Sequence, residues 1–371
     1  MTMMNETYLK PEERAIYRLR TLYRGYGYLP FKMSKFEDYE LYLRNKDFLV
    51  SDRIITFNDT RGRLMALKPD VTLSIIKNGE DAPGCKQRVY YNENVYRVSG
   101  STHDFKEIMQ TGLECIGDLD AYDICEVVTL AAASLNLISP KFSLDISHLG
   151  LLSSLLDDIS PEENFRAEVT RLIGEKNAHD LARVCREAGI SPEDTETLTS
   201  FLSIHGDMNS VLERLHSLER RHPATAIAIG DLSGLRDHLA GTPYADHIRF
   251  DFSIVNDMNY YNGIVFCGYL DGICEGVLSG GQYNKLMRRM GRRSGAIGFA
   301  LYLDLLEGLS DTAAGYDVDV LLLYSANTDT AKVTAAAEAL RAEGKTVTVQ
   351  RAVPERVRYR EICDMREGAT K

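Results

Sequence analysis

The stretch Phe57-Asn-Asp-Thr-Arg-Gly-Arg-Leu-Met-Ala-Leu-Lys-Pro-Asp-Val-Thr72 joins a short apolar run to a helix start. Turn residues at Asn58-Asp59 and Arg61-Gly62 separate it into strand-length pieces, and a helix is predicted over 72–78. The strand-like runs in this part of the chain are 54–57, 64–67 and 89–91. Short runs separated by turns are typical of an antiparallel sheet, so we expect one here.

Helical patterns lie on both sides of these strands. Apolar residues with helical spacing predict helices over 11–25 and 122–137. From about Ser160 to Ala245 the pattern is wholly helical, with glycine stops at 174, 189 and 206. Strands are then expected at 248–254, 264–269 and 274–278, followed by a helix at 296–309. The sequence therefore predicts a sheet interrupted by a compact helical insertion.

The C-terminal residues predict a small separate domain. A strand at 318–324, an alanine-rich helix at 330–343 and a strand at 346–349 form one strand-helix-strand unit, followed by a tail rich in arginine. We expect an α+β protein with a core domain at 1–315, a helical insertion at 158–245 and an α/β unit at 316–371.

Composition excludes several classes of protein. The 371 residues are 44% hydrophobic and 26% charged, which is typical of a globular chain and not of a disordered or fibrous one. No membrane span or secretory signal is evident, so a cytoplasmic location is expected. The seven cysteines show no C-x-x-C pair and no histidine at ligand spacing, so we expect reduced thiols and no metal.

The net charge of −11 disfavours nucleic acid as a partner. A local basic patch is the exception, formed by Lys285, Arg288, Arg289, Arg292 and Arg293. Either a solvated helix end or a surface for an anionic ligand or partner explains it.

Several separated segments carry a family resemblance. They are Phe57 to Thr72, Tyr96-Arg97 with Gln110-Thr-Gly-Leu-Glu-Cys-Ile-Gly117, Asn259-Tyr-Tyr-Asn-Gly-Ile-Val-Phe266, and Ser279-Gly-Gly-Gln-Tyr-Asn-Lys-Leu286 with Gly298-Phe-Ala300. Ile146-Ser-His-Leu-Gly150 is a further similar phrase. In this order, over about 8–310, the set resembles the class II aminoacyl-tRNA synthetase core in its histidyl-tRNA synthetase branch. The resemblance implies an antiparallel sheet flanked by helices and a homodimer formed through the first motif, at about 37–72.

The resemblance also implies a pocket for free histidine. By position, Asp70 and Thr72 correspond to the pair that holds the α-amino group, and Gln110 joins them. Glu114 falls where the family reads the imidazole, and Tyr261 falls at the other end of the ring. Tyr260 and Tyr283 would form part of the wall. An ammonium needs a carboxylate and neutral acceptors, whereas an imidazole needs one acceptor and one donor in a fixed plane.

A purely structural role remains open for each of these side chains. Asp70 and Thr72 have the residue types of a helix cap after Pro69. Glu114 is equally compatible with a carboxylate on an edge strand.

The groups that a class II synthetase uses on ATP are mostly absent. Arg97 remains, as a possible anion-binding remnant, where the family contacts the α-phosphate. Ser99 stands where the adenine-facing glutamate is expected, and Asn256 where the histidyl-specific arginine is expected. Leu305 replaces the γ-phosphate arginine, and Tyr302 fills space that a glycine leaves for the nucleotide. Since losing one such donor typically costs about 10²–10³ in rate, no synthetase activity is expected.

A synthetase-like chain with a histidine pocket but no ATP chemistry resembles the regulatory subunits of ATP phosphoribosyltransferase. The resemblance implies a non-catalytic, allosteric subunit without a cofactor. Its partner would be a short catalytic subunit that it activates, and histidine would inhibit the complex. The shortened C-terminal unit resembles the start of an anticodon-binding domain, so tRNA is not an expected partner. Two alternatives stay open: a divergent enzyme that forms an acyl-adenylate, and a stand-alone histidine sensor.

Overall fold

The computed structural model describes residues 9–46, 54–79, 84–99, 102–255, 260–309 and 316–366. The chain forms two compact units, Met1–Leu309 and Ser310–Lys371. The helices are α1 (Pro11–Gly25), α2 (Tyr39–Arg44), α3 (Thr72–Asn78), α4 (Ala121–Ile138), α5 (Leu149–Ile159), α6 (Glu163–Gly174), α7 (Ala178–Glu187), α8 (Pro192–Phe201), α9 (Met208–Glu219), α10 (Ala226–Leu239), α11 (Asn284–Arg289) and α12 (Thr330–Ala342). The strands are β1 (Leu29–Pro30), β2 (Phe36–Asp38), β3 (Thr56–Asn58), β4 (Leu64–Leu67), β5 (Lys86–Val98), β6 (Phe105–Gly117), β7 (Phe142–His148), β8 (His205–Asp207), β9 (Ile248–Asp251), β10 (Ile264–Leu270), β11 (Leu278–Gln282), β12 (Gly295–Tyr302), β13 (Val318–Leu323), β14 (Val347–Gln350) and β15 (Tyr359–Asp364).

A nine-stranded sheet organises the first unit, in the order β1-β5-β6-β12-β11-β10-β7-β9-β8. All neighbouring strands are antiparallel except the pairs β1/β5 and β7/β9. The hairpin β5–β6 lies inside the sheet, with 13 residues in each strand. A separate small sheet has the order β2-β4-β3. The predicted α+β fold with an antiparallel sheet is confirmed.

The two faces of the hairpin β5–β6 pack against different helices. Leu113 and Cys115 of β6 belong to the main apolar cluster with α1 and α4. On that side, the Tyr23 hydroxyl of α1 and the Ser134 hydroxyl of α4 form a buried hydrogen bond of 3.0 Å. Tyr91 of β5 belongs to a second cluster, with α3 and α11. Because side chains alternate between the faces of a strand, Gln110 and Glu114 lie on the side of α3.

The insertion shares the apolar core of the sheet. Phe165 of α6, Leu212 of α9 and Leu232 of α10 are buried in the same cluster as the sheet residues Leu144 and Phe266. The expectation of a wholly helical segment is wrong at β8, which pairs with β9 at the edge of the sheet. A strand of three residues is too short to show a period-2 pattern in the sequence.

The expected helix over 296–309 is wrong. Residues Gly295–Tyr302 form β12, and only Leu303–Leu309 are helical, as 3-10 turns. The alternation explains the strand, because Ile297, Phe299 and Leu301 enter the main apolar cluster, whereas small residues stand between them. The strand expected at 274–278 is also misplaced, since β11 begins at Leu278 and continues through two glycines.

The second unit contains a three-stranded parallel sheet in the order β14-β13-β15. Leu322 of β13 packs with Val333 and Ala337 of α12. The expected strand-helix-strand unit was incomplete, because the arginine-rich tail contributes β15 as a third strand. Arg358, just before β15, donates to the Asp317 carboxylate through its backbone and its guanidinium.

Of the helices in the described part of the chain, α4 alone is long and apolar enough to cross a membrane. Most of its apolar window (61%) is buried inside the fold, as expected of a core helix. This feature is weak evidence for a membrane span.

Candidate functional site

One cavity brings together all eight side chains that the sequence analysis selected. Its volume is about 110 Å³. For comparison, one water molecule needs about 10–15 Å³ of such space. The cavity therefore suits a small organic molecule. The predicted residues that line it are Asp70, Thr72, Arg97, Gln110, Glu114, Tyr260, Tyr261 and Tyr283.

Strand β6 supplies the floor of the cavity. Gln110 and Glu114 are four residues apart on one strand and therefore share a face. The neighbouring strand β12 places Gly298 opposite Glu114 and Tyr302 opposite Gln110. A Cβ atom built at Gly298 would overlap with Oε2 of Glu114. The glycine at 298 is thus required for the carboxyl group of Glu114 to lie over β12.

Glu114 is 2% exposed and has two hydroxyl partners. Thr72 Oγ1 donates to Oε1 at 2.8 Å, and the Tyr283 hydroxyl donates to Oε2 at 2.5 Å. Burial raises the pKa of Glu114 to about 8, although both hydrogen bonds act in the opposite direction; the nearby charge of Asp70 raises it further. This carboxyl group therefore keeps its proton to a higher pH than an exposed glutamate does. The alternative that Glu114 is a carboxylate on an edge strand is excluded, because β6 lies between β5 and β12 in the sheet.

Asp70 and Thr72 lie where the chain enters α3. Asp70 Oδ1 accepts a hydrogen bond from the Leu73 backbone N–H at 2.9 Å, so Asp70 does serve the first turn of the helix. It also lines the cavity, so capping and lining are combined in one side chain. Burial raises the pKa of Asp70, while the Leu73 N–H and the charge of Arg97 oppose the rise.

Tyrosine rings form the wall. The rings of Tyr260 and Tyr261 are 4.7 Å apart between centroids, and those of Tyr260 and Tyr283 are 5.9 Å apart. Tyr91 of β5 lines the cavity as well and was not selected from the sequence. Burial raises the pKa of Tyr91, Tyr260 and Tyr283 well above the usual tyrosine value, so these phenols stay neutral.

Arg97 and Tyr302 are the lining residues at positions where the synthetase family holds the nucleotide. Nε of Arg97 donates to the Pro69 carbonyl at 3.1 Å, which ties β5 to the loop that carries Asp70. The Tyr302 and Ser279 hydroxyls are hydrogen-bonded at 3.0 Å, and both side chains line the cavity. Leu305 packs against the main apolar cluster. Asn256 lies outside the described residues.

Two sequence features have structural roles away from the cavity. His148 caps α5, since its Nδ1 accepts a hydrogen bond from the Leu151 backbone N–H at 3.1 Å. In the basic patch, Arg292 donates to the backbone carbonyls of Ile76 and Lys77 at the end of α3, at 3.0 and 3.3 Å.

The sequence analysis gave no lining role to several further residues, although most of them lie within the quoted motif segments. The additional lining residues are Val71, Tyr91, Ser279, Gly298, Phe299, Ala300 and Tyr302, of which only Tyr302 was given a role, as a space-filling residue. The register Tyr91↔Gly112 places Tyr91 between the Gln110 and Glu114 positions. Strand alternation was the signal that could have found it.

The polar groups that line the cavity are suited to hydrogen bonding with a ligand. Within the described ranges, no group of three or more histidine, cysteine or acidic side chains has metal-binding geometry. The lining offers two carboxyl groups, the Gln110 amide and several hydroxyls to a ligand rich in N–H donors, and Arg97 to an anionic group.

Comparisons with known proteins support this assignment of the fold. A family model described as histidyl-tRNA synthetase matches residues 4–306. An ATP phosphoribosyltransferase regulatory subunit from Oceanobacillus iheyensis is 26% identical over 332 residues, which are 88% of this chain and 81% of the relative.

Two solved structures are similar to the chain along most of its length. One is an ATP phosphoribosyltransferase regulatory subunit/histidyl-tRNA synthetase from Bacillus halodurans, with a TM-score of 0.79 and 24% identity over 99% of this chain and 96% of that one. The other is in an ATP phosphoribosyl transferase (HisG:HisZ) complex from Thermotoga maritima, with a TM-score of 0.62 and 19% identity over 79% of this chain and 97% of that one. At these identities the likeness shows the fold.

The glycine opposite Glu114 gives a first testable prediction. We expect Gly298→Ala to destabilise the protein by about 1–3 kcal/mol, the usual cost of overpacking, because the added methyl group displaces the Glu114 carboxyl. The matched control is Gly234→Ala in α10, where a Cβ meets no atom within 4 Å. Alanine favours helix there by about 0.5–1 kcal/mol, so the control should be slightly stabilised. Urea unfolding measures both, and equal stability of Gly298→Ala and the unmodified chain would contradict the assigned packing.

The raised pKa of Glu114 predicts how stability changes with pH. The folded chain holds a proton on Glu114 up to about pH 8, whereas a glutamate of ordinary pKa 4.5 loses it much earlier. The contribution of the Glu114 carboxyl to the free energy of unfolding is therefore fully present below pH 4.5 and is lost as pH rises towards 8. Glu114→Gln, which mimics the protonated form, should become more stable relative to the unmodified chain between pH 5 and 8. Urea unfolding at several pH values tests this, and a constant difference would show that Glu114 is ionised throughout.

Proposed function

The chain belongs to the histidyl-tRNA synthetase family, and we propose that it is the regulatory subunit of an ATP phosphoribosyltransferase in histidine biosynthesis. In this role it does not catalyse the reaction itself. It activates a short catalytic subunit that joins ATP to phosphoribosyl pyrophosphate, and it mediates feedback inhibition by histidine. The cavity around Glu114 is the observation that carries the proposal. Its polar side chains suit an amino acid, whereas Tyr302 fills the part of the wall where a synthetase leaves space for the nucleotide.

The cavity chemistry matches free histidine group by group. The α-ammonium has three N–H donors, and the Asp70 carboxyl and the Thr72 and Gln110 oxygens can accept hydrogen bonds from them. The imidazole presents one donor and one acceptor in a plane, for which Glu114 and the Tyr261 hydroxyl are the complementary pair. Two tyrosine rings, of Tyr260 and Tyr283, provide flat apolar contact.

The absence of synthetase activity follows from three positions. Ser99 has no carboxylate for an adenine, and Leu305 has no charge for a phosphate. Tyr302 places a ring and a hydroxyl on the cavity wall, where the hydroxyl is bound to Ser279. With Arg97 as the remaining cation, the site lacks the charges that stabilise an adenylation transition state.

A homodimer through the small sheet is part of the proposal. Phe36 of β2 and Phe57 of β3 contact edge to face at 5.3 Å between ring centroids, yet they are 51% and 37% exposed. Leu43 of α2 and Leu64 of β4 are 52% and 45% exposed in the same region. Exposed apolar clusters of this kind mark protein interfaces, and this one falls in the segment that corresponds to the family's first motif.

The dimer would act within a hetero-oligomer in the cytoplasm, with no role for tRNA. The net charge of −11 opposes binding to a polyanion. Histidine would regulate by linkage: it binds one state of the complex more tightly and shifts the population towards that state.

Reconstitution tests the regulatory role. The unmodified chain should raise the turnover of the short catalytic subunit from the same organism, and histidine should then lower it. Glu114→Gln should weaken inhibition by about 10- to 150-fold in histidine concentration, the range for a hydrogen bond involving charge, while activation persists. Glu107→Gln is the matched control, because Glu107 lies on the same strand β6 but outside the cavity and should leave inhibition unchanged.

Phosphoribosyl-ATP formation by the mixed subunits is the measurement. Unchanged turnover and no complex on a sizing column would reject the regulatory role. Full inhibition of Glu114→Gln would instead place histidine elsewhere in the complex.

The loss of ATP chemistry has its own test. The purified chain should show no histidine-dependent exchange between ATP and pyrophosphate, and it should not aminoacylate tRNA. An active histidyl-tRNA synthetase assayed in parallel is the positive control. Exchange above background would favour the acyl-adenylate enzyme, the alternative that the retained Arg97 supports.

A further inference from the structure

The basic patch lies on α11 and on the turn that follows it, and the proposed function gives it no role. Four of its side chains are exposed, those of Lys285, Arg288, Arg289 and Arg293, and that of Arg292 is half-buried. The net charge of the whole chain is −11. The patch is therefore a local region of positive charge on a molecule whose overall field is negative.

Two arginines of the basic patch have no acidic partner. In the part of the chain that the structure describes, the guanidinium groups of Arg288 and Arg289 form no ion pair and no hydrogen bond. The sequence explains this, because no aspartate or glutamate occurs between Glu275 and Asp304. A solvated helix end commonly pairs its cations with acidic residues three or four positions away, and α11 has none.

Acidic residues across the neighbouring cleft are engaged on their own helix. Asp38 and Glu40 line this cleft together with Arg289. The Asp38 carboxylate accepts a hydrogen bond from the Glu40 backbone N–H at the start of α2. The Glu40 carboxylate forms an ion pair with Arg44, one turn further along α2. The positive charge of the patch is thus left for a partner outside the described chain.

The basic patch is presented on a firmly held element. Leu286 and Met287 of α11 are buried in the apolar cluster that includes α3. Oδ1 of Asn284 accepts a hydrogen bond from the Ala296 backbone N–H at 2.9 Å, which ties the start of α11 to β12. Arg292 donates to two backbone carbonyls at the end of α3. A preorganised surface loses little conformational entropy when a partner binds.

The element that carries the basic patch also contributes to the cavity wall. Tyr283, whose hydroxyl donates to the Glu114 carboxyl, is the residue immediately before α11. A partner on the patch would therefore contact a helix that is continuous with the cavity. Such a placement gives a bound partner and a bound ligand one common element to act on.

We propose that the basic patch is the surface through which this chain binds the catalytic subunit, by contact with an acidic segment of that subunit. The inference rests on the proposed function, because it takes the catalytic subunit as the partner. A protein is favoured over nucleic acid, since the net charge of −11 repels an extended polyanion, whereas a protein needs only a local acidic segment.

Charge reversal in the basic patch tests the proposal. Isothermal titration with the catalytic subunit from the same organism measures the dissociation constant of the complex at several salt concentrations. Arg288→Glu/Arg289→Glu should weaken the complex by about 100-fold, because it places like charges opposite each other. Arg288→Gln/Arg289→Gln removes the attraction without adding repulsion, so it should weaken the complex by about 10-fold and reduce its dependence on salt. Urea unfolding shows that each variant is folded.

The matched control is Arg186→Glu/Arg220→Glu in the helical insertion. Arg186 lies in the last turn of α7 and Arg220 caps the C-terminal end of α9, and both are exposed. Arg288 and Arg289 likewise lie in the last turn of α11. The control therefore changes the net charge and the charge at helix ends in the same way. It should bind the catalytic subunit as tightly as the unmodified chain does.

Four results would overturn the inference. One is unchanged affinity of Arg288→Glu/Arg289→Glu, and another is an equal loss in the control, which would make net charge alone responsible. A third is that the patch variant falls apart into monomers without the catalytic subunit, which would assign the patch to a contact between copies of this chain. The fourth is binding of a single-stranded oligonucleotide that the variant loses while it keeps the complex.

Failure of the proposed function gives a different result. The unmodified chain would then form no complex with the catalytic subunit at any salt concentration, and the inference would fall with it. A complex of the unmodified chain that the patch variant also forms with the same affinity refutes the docking surface alone.

Discussion

A carboxyl group buried inside a β-sheet is the constraint on which the rest of the site depends. Glu114 stands on an interior strand, where an unpaired carboxyl would be costly, and its two oxygens are satisfied by hydroxyls from different parts of the chain. Thr72 comes from the start of α3, and Tyr283 from the residue before α11. The two hydrogen bonds therefore bring separate elements over one point of the sheet. Gly298 completes the arrangement by leaving space on the neighbouring strand.

The local sequence patterns were sufficient for most of the fold, whereas the lining residues were selected from the family resemblance. The helices at 11–25 and 72–78 and the strand at 64–67 occur at the predicted bounds, because caps, glycines and apolar spacing act within a few residues. The long hairpin β5–β6 was recognised only in part, since its polar positions are buried by tertiary contacts that no short window contains. The small residues of β12 made this segment look like a helix in the sequence. In the structure they allow close packing within the sheet.

Positions that depend on strand register were beyond the sequence patterns. Tyr91 reaches the cavity because it lies opposite Gly112, and this pairing is set by the whole hairpin rather than by neighbouring residues. The third strand of the C-terminal unit was missed for a related reason, since its charged residues alternate with few apolar ones. The resemblance selected the residues that are proposed to bind the ligand, whereas the strand pairings locate the residues that shape the cavity around them.

The apolar cluster shared by the sheet and the helical insertion links the stability of the two. Leu144 of the sheet and Leu212 and Leu232 of the insertion are all buried in one continuous core. The insertion cannot unfold alone without exposing part of the surface that supports the sheet, so the first unit should melt as a single cooperative body. Proteolytic cleavage within the insertion would then be coupled to opening of the cavity floor, although the cleaved bonds lie far from it in the sequence. A ligand that tightens the cavity would protect the insertion from proteases by the same coupling.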